Sequence, residues 1–386
     1  MTMAWPRPDP LDEAYLLLAY RSGRWGTRSP LVEEFEREFA RYHDAKHSVA
    51  VTSGTAGLML AYLAAGVRPG DKVAVPAYTF IATASAAVIW RAIPVFVDVD
   101  PVTLNMDPGD LERVVERHKD VRLIVPVHFA GIPAEMDEIL KIAREHGAAV
   151  VEDAAQAHGS AYRGRKVGAI GDAGAFSFQL SKLMAAGEGG IVLTNRDDMY
   201  ELIWSLHHVG RRAGGKWYEH PRMGWNFRMT EFQAAVLLGQ LKRLDRMLET
   251  LRRNWRIVAE GLERVDGIEV LEPPKHVDWN FYFTYIKVPE AARRGVELKL
   301  KFVEAARRRG VNLSEGYVEP LYKQPALRDP YWGLPSELYD GLYLRNAEEA
   351  CASVAWLPHY ELLTEDEARL ERVVKAVEGA AREVLK

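Results

Sequence analysis

A chain of 386 residues exceeds what one hydrophobic core usually organises, so two domains are expected. Hydrophobic residues at 48% and charged residues at 27% are ordinary for a globular protein, and a net charge of -4 argues against a nucleic-acid binder. The single cysteine, Cys351, excludes an intrachain disulfide and suits a reducing cytoplasm, no apolar run approaches the ~18 residues of a membrane span, and Met1 to Pro10 lacks the apolar core of a signal peptide.

In chain order, Leu31 to Tyr42 has helical periodicity, and Ser48 to Thr52 reads as a strand that runs into Ser53-Gly54-Thr55. Ala56 to Ala65 reads as a helix, Lys72 to Pro76 as a short strand, Phe80 to Trp90 as a helix and Pro94 to Asp98 as a strand. Arg122 to Val127 and Ala148 to Glu152 are strands on either side of a helix over Ala134 to His146. Gly174 to Phe178 and Gly190 to Thr194 look like two further strands that bracket Lys182. Alternation at this spacing predicts an α/β domain with a mainly parallel sheet covered by helices, and the runs VAVP, VFVDV, LIVPV and AAVVE are evenly apolar, as strands buried on both faces should be. Thr230 to Leu251 reads as one long amphipathic helix with a capping box of Thr230 and Gln233, continued through Arg252 to Val265 into the second domain. There, Phe281 to Val288 alternates like a strand, Leu298 to Arg309 is helical, Pro320 to Tyr343 is an ordered surface loop, and Glu365 to Leu385 is a terminal helix. The expected division is residues 1–250 for a large domain with its N-terminal arm and 251–386 for a smaller α+β domain.

Lys182 stands apart from the other lysines. It lies in FSFQLSKLMAAGEGG, among small, flexible and apolar residues, and reads as a placed amine rather than a solvated charge. Upstream, Asp153 ends the apolar run Ala148-Ala149-Val150-Val151-Glu152, at the carboxyl end of a central strand where open α/β sheets place their sites. A carboxylate at a strand end and a downstream lysine are the parts a pyridoxal phosphate (PLP) enzyme needs: the lysine forms a Schiff base, and the acid keeps the pyridine nitrogen protonated. Taken alone, such an Asp is more often a cap or a structural hydrogen-bonding acid. Ser53-Gly54-Thr55-Ala56-Gly57 joins a strand to a helix and fits a phosphate cradle, although a simple turn explains the same residues. Ser177, five residues before Lys182, could donate to that phosphate or merely sit on a sheet face. Phe80 could stack on a flat ring, against the commoner reading of core packing. Gln156 and His158 could reach the cofactor or substrate, although a lone histidine is usually structural. Glu188, in a turn of glycines, could orient backbone or contact substrate, and a solvated loop acid is the bland alternative.

In order along nearly the whole chain, SGTAGL, PAYTF-ATASA, P-FVDVDP-T-N, VVEDAAQAHG, FSFQ-SK---AGEGG, NFRMTEFQAAV and EPLYKQPAL resemble the DegT/StrS-type family of sugar and cyclitol aminotransferases, PLP enzymes of the aspartate aminotransferase (type I) fold. The resemblance implies a seven-stranded, mainly parallel sheet in the large domain. It assigns the catalytic amine to Lys182, the pyridine-nitrogen partner to Asp153, the ring-hydroxyl contact to Gln156, the stacking ring to Phe80, and the phosphate contacts to Gly54, Thr55 and Ser177. Asn226 would reach the phosphate of a neighbouring subunit, which implies a homodimer with shared active sites. Relatives that dehydrate sugars carry histidine in place of this lysine, so Lys182 supports transamination. Trp5-Pro6, Ser22 to Gly26, His207 to Arg212, Trp217-Tyr218 and Trp356 to His359 lean toward the branch acting on keto-cyclitols and 3-amino-5-hydroxybenzoate precursors, with glutamine or glutamate as donor. Arg211, Arg212 and His359 become candidate substrate contacts, and Leu183-Met184 departs from the Asn-Leu common after the lysine. An aromatising dehydratase of the 3-amino-5-hydroxybenzoate synthase type keeps the same lysine and is the alternative. A non-catalytic regulatory relative would be marked by loss of Lys182 or Asp153, and both are present.

Overall fold

The computed structural model describes residues 5–26, 29–272 and 274–385, so the first four residues of the segment weighed as a signal peptide lie outside them. Seven strands form the large sheet: β1 His47–Val51, β2 Lys72–Pro76, β3 Ile93–Val97, β4 Val121–Ile124, β5 Ala149–Asp153, β6 Ala173–Ser177 and β7 Gly190–Thr194. Their spatial order is β1-β7-β6-β5-β4-β2-β3, and β7 runs antiparallel to both of its neighbours while the other pairs are parallel. Nearly every residue of β1, β2, β3 and β5 after the first is buried, and β6 and β7 are buried throughout. That explains why these runs read as evenly apolar rather than alternating.

Helices cover both faces. Those of this part are α1 Pro10–Ser22, α2 Pro30–Tyr42, α3 Gly54–Ala64, α4 Ala82–Val88, α5 Pro108–Arg117, α6 Met136–His146, α7 Asp197–His207, α8 Glu231–Lys242 and α9 Leu244–Leu262. α3 packs across β6 and β7, α2 against β1, α5 against β3 and α6 against β5. The helix expected over Thr230 to Leu251 is two helices. Arg243 breaks it, with φ -112° and ψ 5°, and its guanidinium forks onto both carboxylate oxygens of Asp12 in α1 at 2.5 and 2.6 Å. A bidentate, largely buried ion pair repays the lost helical geometry. The start of α8 is as expected, with the Gln233 amide oxygen accepting from the Thr230 N–H at 3.0 Å.

A second sheet holds β8 Glu269–Val270, β9 Phe283–Lys287 and β10 Val354–Pro358, all antiparallel. α10 Val296–Arg308 and α11 Glu367–Val384 pack on each other beside it, and α11 also meets α9. The segment from Pro320 to Tyr343 holds only short 3-10 turns, and it is anchored: the Tyr339 hydroxyl donates to the Pro94 carbonyl at 3.0 Å. No helix among the described residues is long and apolar enough to cross a membrane.

Candidate active site

The ends of β1, β2, β5 and β6 converge on one cleft of about 560 Å³, the place where an open α/β sheet leaves room for a ligand. Gly54, Thr55, Phe80, Asp153, Gln156, Ser177 and Lys182 all line it, as does Glu188, so the fold brings together residues that lie more than a hundred positions apart.

At one end, Ser53 caps α3 by accepting from the Ala56 N–H at 3.1 Å. The first N–H groups of that helix, at Gly54 and Thr55, have no acceptor one turn back, and the helix dipole there favours negative charge at this end of the cleft. The glycine is required by the approach of β6: a Cβ at Gly54 would stand 2.8 Å from the Ser177 Cβ. Ser177 therefore sits against the helix start, and the pair forms a tight cradle.

At the bottom, two adjacent acids on β5 face opposite ways because side chains alternate along a strand. Glu152 turns from the cleft and is consumed by the structure. One of its oxygens accepts from His128 Nε2 at 2.9 Å and the Gly168 N–H at 2.7 Å, and the other from the N–H groups of Ile170 at 2.7 Å and Gly171 at 2.8 Å. Asp153 points into the cleft with two donors among the described residues, the Thr83 hydroxyl at 2.8 Å and the Ala155 N–H at 3.2 Å. Burial pushes its pKa up, against the pull of those hydrogen bonds and of the Lys182 charge. A buried carboxylate with room for another proton donor fits a protonated pyridine nitrogen.

Lys182 lies on the loop between β6 and β7, with Leu183 and Met184 fully buried beneath it. The departure from Asn-Leu is thus a local exchange of polar for apolar packing. The Lys182 N–H donates to the Gln179 carbonyl at 2.8 Å, and its own carbonyl accepts from Trp5 Nε1 at 3.2 Å. Gln156 is buried and its Oε1 accepts from the Ala130 N–H at 2.6 Å, so Nε2 is the end of the amide left to donate. Phe80 is 58% exposed at the cleft, which removes the core-packing alternative and leaves an aromatic face for a ligand.

Other candidates are placed elsewhere. His158 is fully buried beneath the cleft and bonds the Ser177 carbonyl at 2.9 Å. Burial, with the nearby Lys182 charge, holds its pKa well down, so it is a neutral strut for β6 and not a ligand contact. His359 is also fully buried, with its pKa pushed to about 3, and stacks with Tyr282 rather than facing the cleft. Arg211 sits over the Trp217 ring at 5.5 Å, and neither Arg211 nor Arg212 lines the cleft. Asn226 is exposed, bridges to His208 and lies outside the cleft of its own chain.

The remaining wall was not legible as such. Tyr282, Phe283, Tyr317 and Trp356 close the cleft from the second sheet and its loops. Lys299 fixes this wall from behind. Its Nζ donates to the carbonyls of Cys351 at 2.5 Å and Tyr317 at 3.2 Å, and burial lowers its pKa to about 8. The aromatic alternation in FYFTYIKV was the available signal.

A mainly parallel α/β sheet with a helix start, a buried carboxylate and a lysine gathered at its strand ends suits the chemistry of a PLP-type enzyme. Residues 10–378 match the DegT/DnrJ/EryC1/StrS aminotransferase family, and the chain belongs to it. It is 34% identical over 383 residues to a GDP-perosamine synthase of Caulobacter vibrioides, covering 98% of this chain and 97% of the relative. It is 35% identical over 400 residues to an L-glutamine:2-deoxy-scyllo-inosose aminotransferase of Micromonospora echinospora, covering 97% and 93%. The fold superposes on the crystal structure of a 3-amino-5-hydroxybenzoic acid synthase with a TM-score of 0.92 at 34% identity, over 99% of both chains.

Proposed function

We propose that this aminotransferase uses PLP held in the cleft, and moves an amino group from glutamine or glutamate to a keto-cyclitol or keto-sugar. The observation that supports the cofactor is the convergence of three unlike features on one cleft: a helix start pressed against Ser177, a buried Asp153 with spare acceptor capacity, and the Lys182 amine. PLP, when bound, supplies an aldehyde that condenses with amines and a ring that takes up electrons released at the donor's Cα. The Gly54 and Thr55 N–H groups and the Ser177 hydroxyl hold the phosphate, Asp153 accepts from the ring nitrogen, Gln156 Nε2 donates to the ring hydroxyl, and Phe80 covers a ring face. Lys182 Nζ takes the proton from the donor's Cα and returns it later. The aromatic wall excludes water from that transfer. Asn226 serves the phosphate of a partner copy, in a homodimer with shared sites, and the chain divides near residue 250 into cofactor-holding and smaller C-terminal domains. A reducing cytoplasm remains the compartment that a lone, buried Cys351 suits.

Names of relatives bear on the donor and acceptor. One carries L-glutamine and a cyclitol ketone in its name and another a GDP-linked sugar, so both acceptor classes enter the test. The likeness to 3-amino-5-hydroxybenzoic acid synthase favours one second reading, an aromatising dehydratase at the same lysine. Mixing the PLP-loaded enzyme with glutamine, glutamate, alanine or aspartate, and following loss of the cofactor's visible band, identifies the donor. Free keto-cyclitols and nucleotide-linked keto-sugars are then tested for its return. No loss of the band with any donor, together with release of an ultraviolet-absorbing aromatic acid from an added 3-amino-5-hydroxybenzoate precursor, would replace the first reading with the second.

A further inference from the structure

Tyr282 stands beside the reacting amine, and holding the cofactor does not account for it. Its ring centroid lies 5.0 Å from Lys182 Nζ. The ring is fixed on several sides. Its hydroxyl is hydrogen-bonded to Ser181 Oγ at 3.0 Å, its N–H donates to Asn280 Oδ1 at 3.0 Å, and the His359 imidazole stacks with it at 5.6 Å and 26°. Burial keeps that imidazole neutral, so it brings no competing cation. The Lys182 main chain is fixed as well, by Gln179 and Trp5. The freedom left to the amine is that of its own side chain, and one stop of that side chain is the face of Tyr282.

We propose that Tyr282 is a positioning residue for Lys182, its ring face seating the ammonium while the amine is free of the cofactor and carries the substrate's proton. This rests on the reading of Lys182 as proton carrier. In that step the Cα–H bond breaks, its electron pair passes toward the cofactor, and the proton adds to the lone pair of Nζ. A neutral amine becomes a cation. A ring face attracts a cation and not a neutral amine, so it favours the state after transfer. Among the described residues, the other charged or titratable groups around Lys182 are Asp153, Glu188 and Tyr317 in the cleft and the neutral His158 and His359 behind it. None of them changes in a Tyr282 variant.

The test uses protein loaded with pyridoxamine phosphate, in which Lys182 keeps a free amine. Acetylation of Lys182 by acetic anhydride is followed against pH by peptide mass spectrometry, for the parent, Tyr282→Phe and Tyr282→Leu. The plateau at high pH reports accessibility, and the midpoint reports the hold on the ammonium. In Tyr282→Leu the midpoint falls by about one pH unit, the equivalent of roughly tenfold. In Tyr282→Phe it stays with the parent, and both variants bind pyridoxamine phosphate as the parent does. An unmoved midpoint in Tyr282→Leu, an equal fall in Tyr282→Phe, or loss of pyridoxamine phosphate binding would overturn the proposal. No amino donor or acceptor takes part, so a protein that binds the cofactor yet transaminates nothing sinks the functional reading separately.

Discussion

Exchanging each of the neighbouring acids on β5 for its amide should separate folding from chemistry. In Glu152→Gln, one carboxylate oxygen becomes an NH2 group. If it replaces the oxygen facing Ile170 and Gly171, two backbone N–H groups lose their acceptor. If it replaces the other, the Gly168 N–H and the His128 Nε2–H lose theirs. His128 cannot adapt by changing tautomer, because its Nδ1 already accepts from the Ala134 N–H at 3.0 Å. Either way two buried donors are orphaned, at about 1–3 kcal/mol each. Asp153→Asn should behave in the opposite way. Burial raises the Asp153 pKa, so the fold holds its proton more tightly than the unfolded chain does. Its contribution to stability is therefore greatest below the ordinary carboxylate range and is lost as pH rises through the raised value. At neutral pH the charged group costs stability, and an amide removes that cost. The same change removes the charged partner of the ring nitrogen, worth about 1.5–3 kcal/mol, or roughly tenfold to a hundredfold in the conversion of cofactor by an amino donor. Urea unfolding of the cofactor-free proteins at neutral pH and single-turnover spectroscopy of the loaded ones measure the two effects. A Glu152→Gln protein as stable as the parent, or an Asp153→Asn protein that is destabilised but converts cofactor at the parental rate, would refute the assignment of faces.

Further outcomes follow from the same geometry. Gly54→Ala puts a Cβ 2.8 Å from the Ser177 Cβ, so the cradle must open at a cost of about 1–3 kcal/mol, and PLP affinity measured by absorbance titration should fall by tenfold or so. Lys182→Ala and Asn226→Ala should each be inactive alone. Mixed under subunit exchange they should regain about a quarter of the parental activity, because one site of each heterodimer holds both residues, and no recovery would contradict shared sites. His43 and His359 are buried with pKa values pushed down to about 3, so the unfolded chain takes up protons that the fold refuses. Stability should be intact above the ordinary histidine pKa near ~6.5 and fall by up to about 1.4 kcal/mol per pH unit for each as pH drops from there toward 3, as read from urea midpoints.

The large sheet was legible because its strands are buried on both faces, and a strand so placed carries a uniform apolar run that stands out between amphipathic stretches. All seven strands lie within a residue or two of their expected positions, apart from the C-terminal end of β4, which stops at Ile124. What could not be read were effects of distant partners. The break at Arg243 depends on Asp12, on a helix at the far end of the chain. Which of Glu152 and Asp153 faces the cleft follows from strand alternation only once the positions of α3 and α4 are known. Whether His158 and His359 are ligand contacts or structural residues could not be decided, because a histidine's burial is invisible in sequence. The aromatic wall came from residues whose role is set by the second sheet folding back over the first.

The proposed chemistry depends on Lys182 being the amine that bonds the cofactor. Treating the PLP-loaded protein with borohydride and mapping its peptides tests this directly. One phosphopyridoxyl group per chain is expected, carried on the peptide that contains Lys182 and absent from Lys182→Ala. A label on a different lysine, or a protein that gains no visible band and no label, would contradict it.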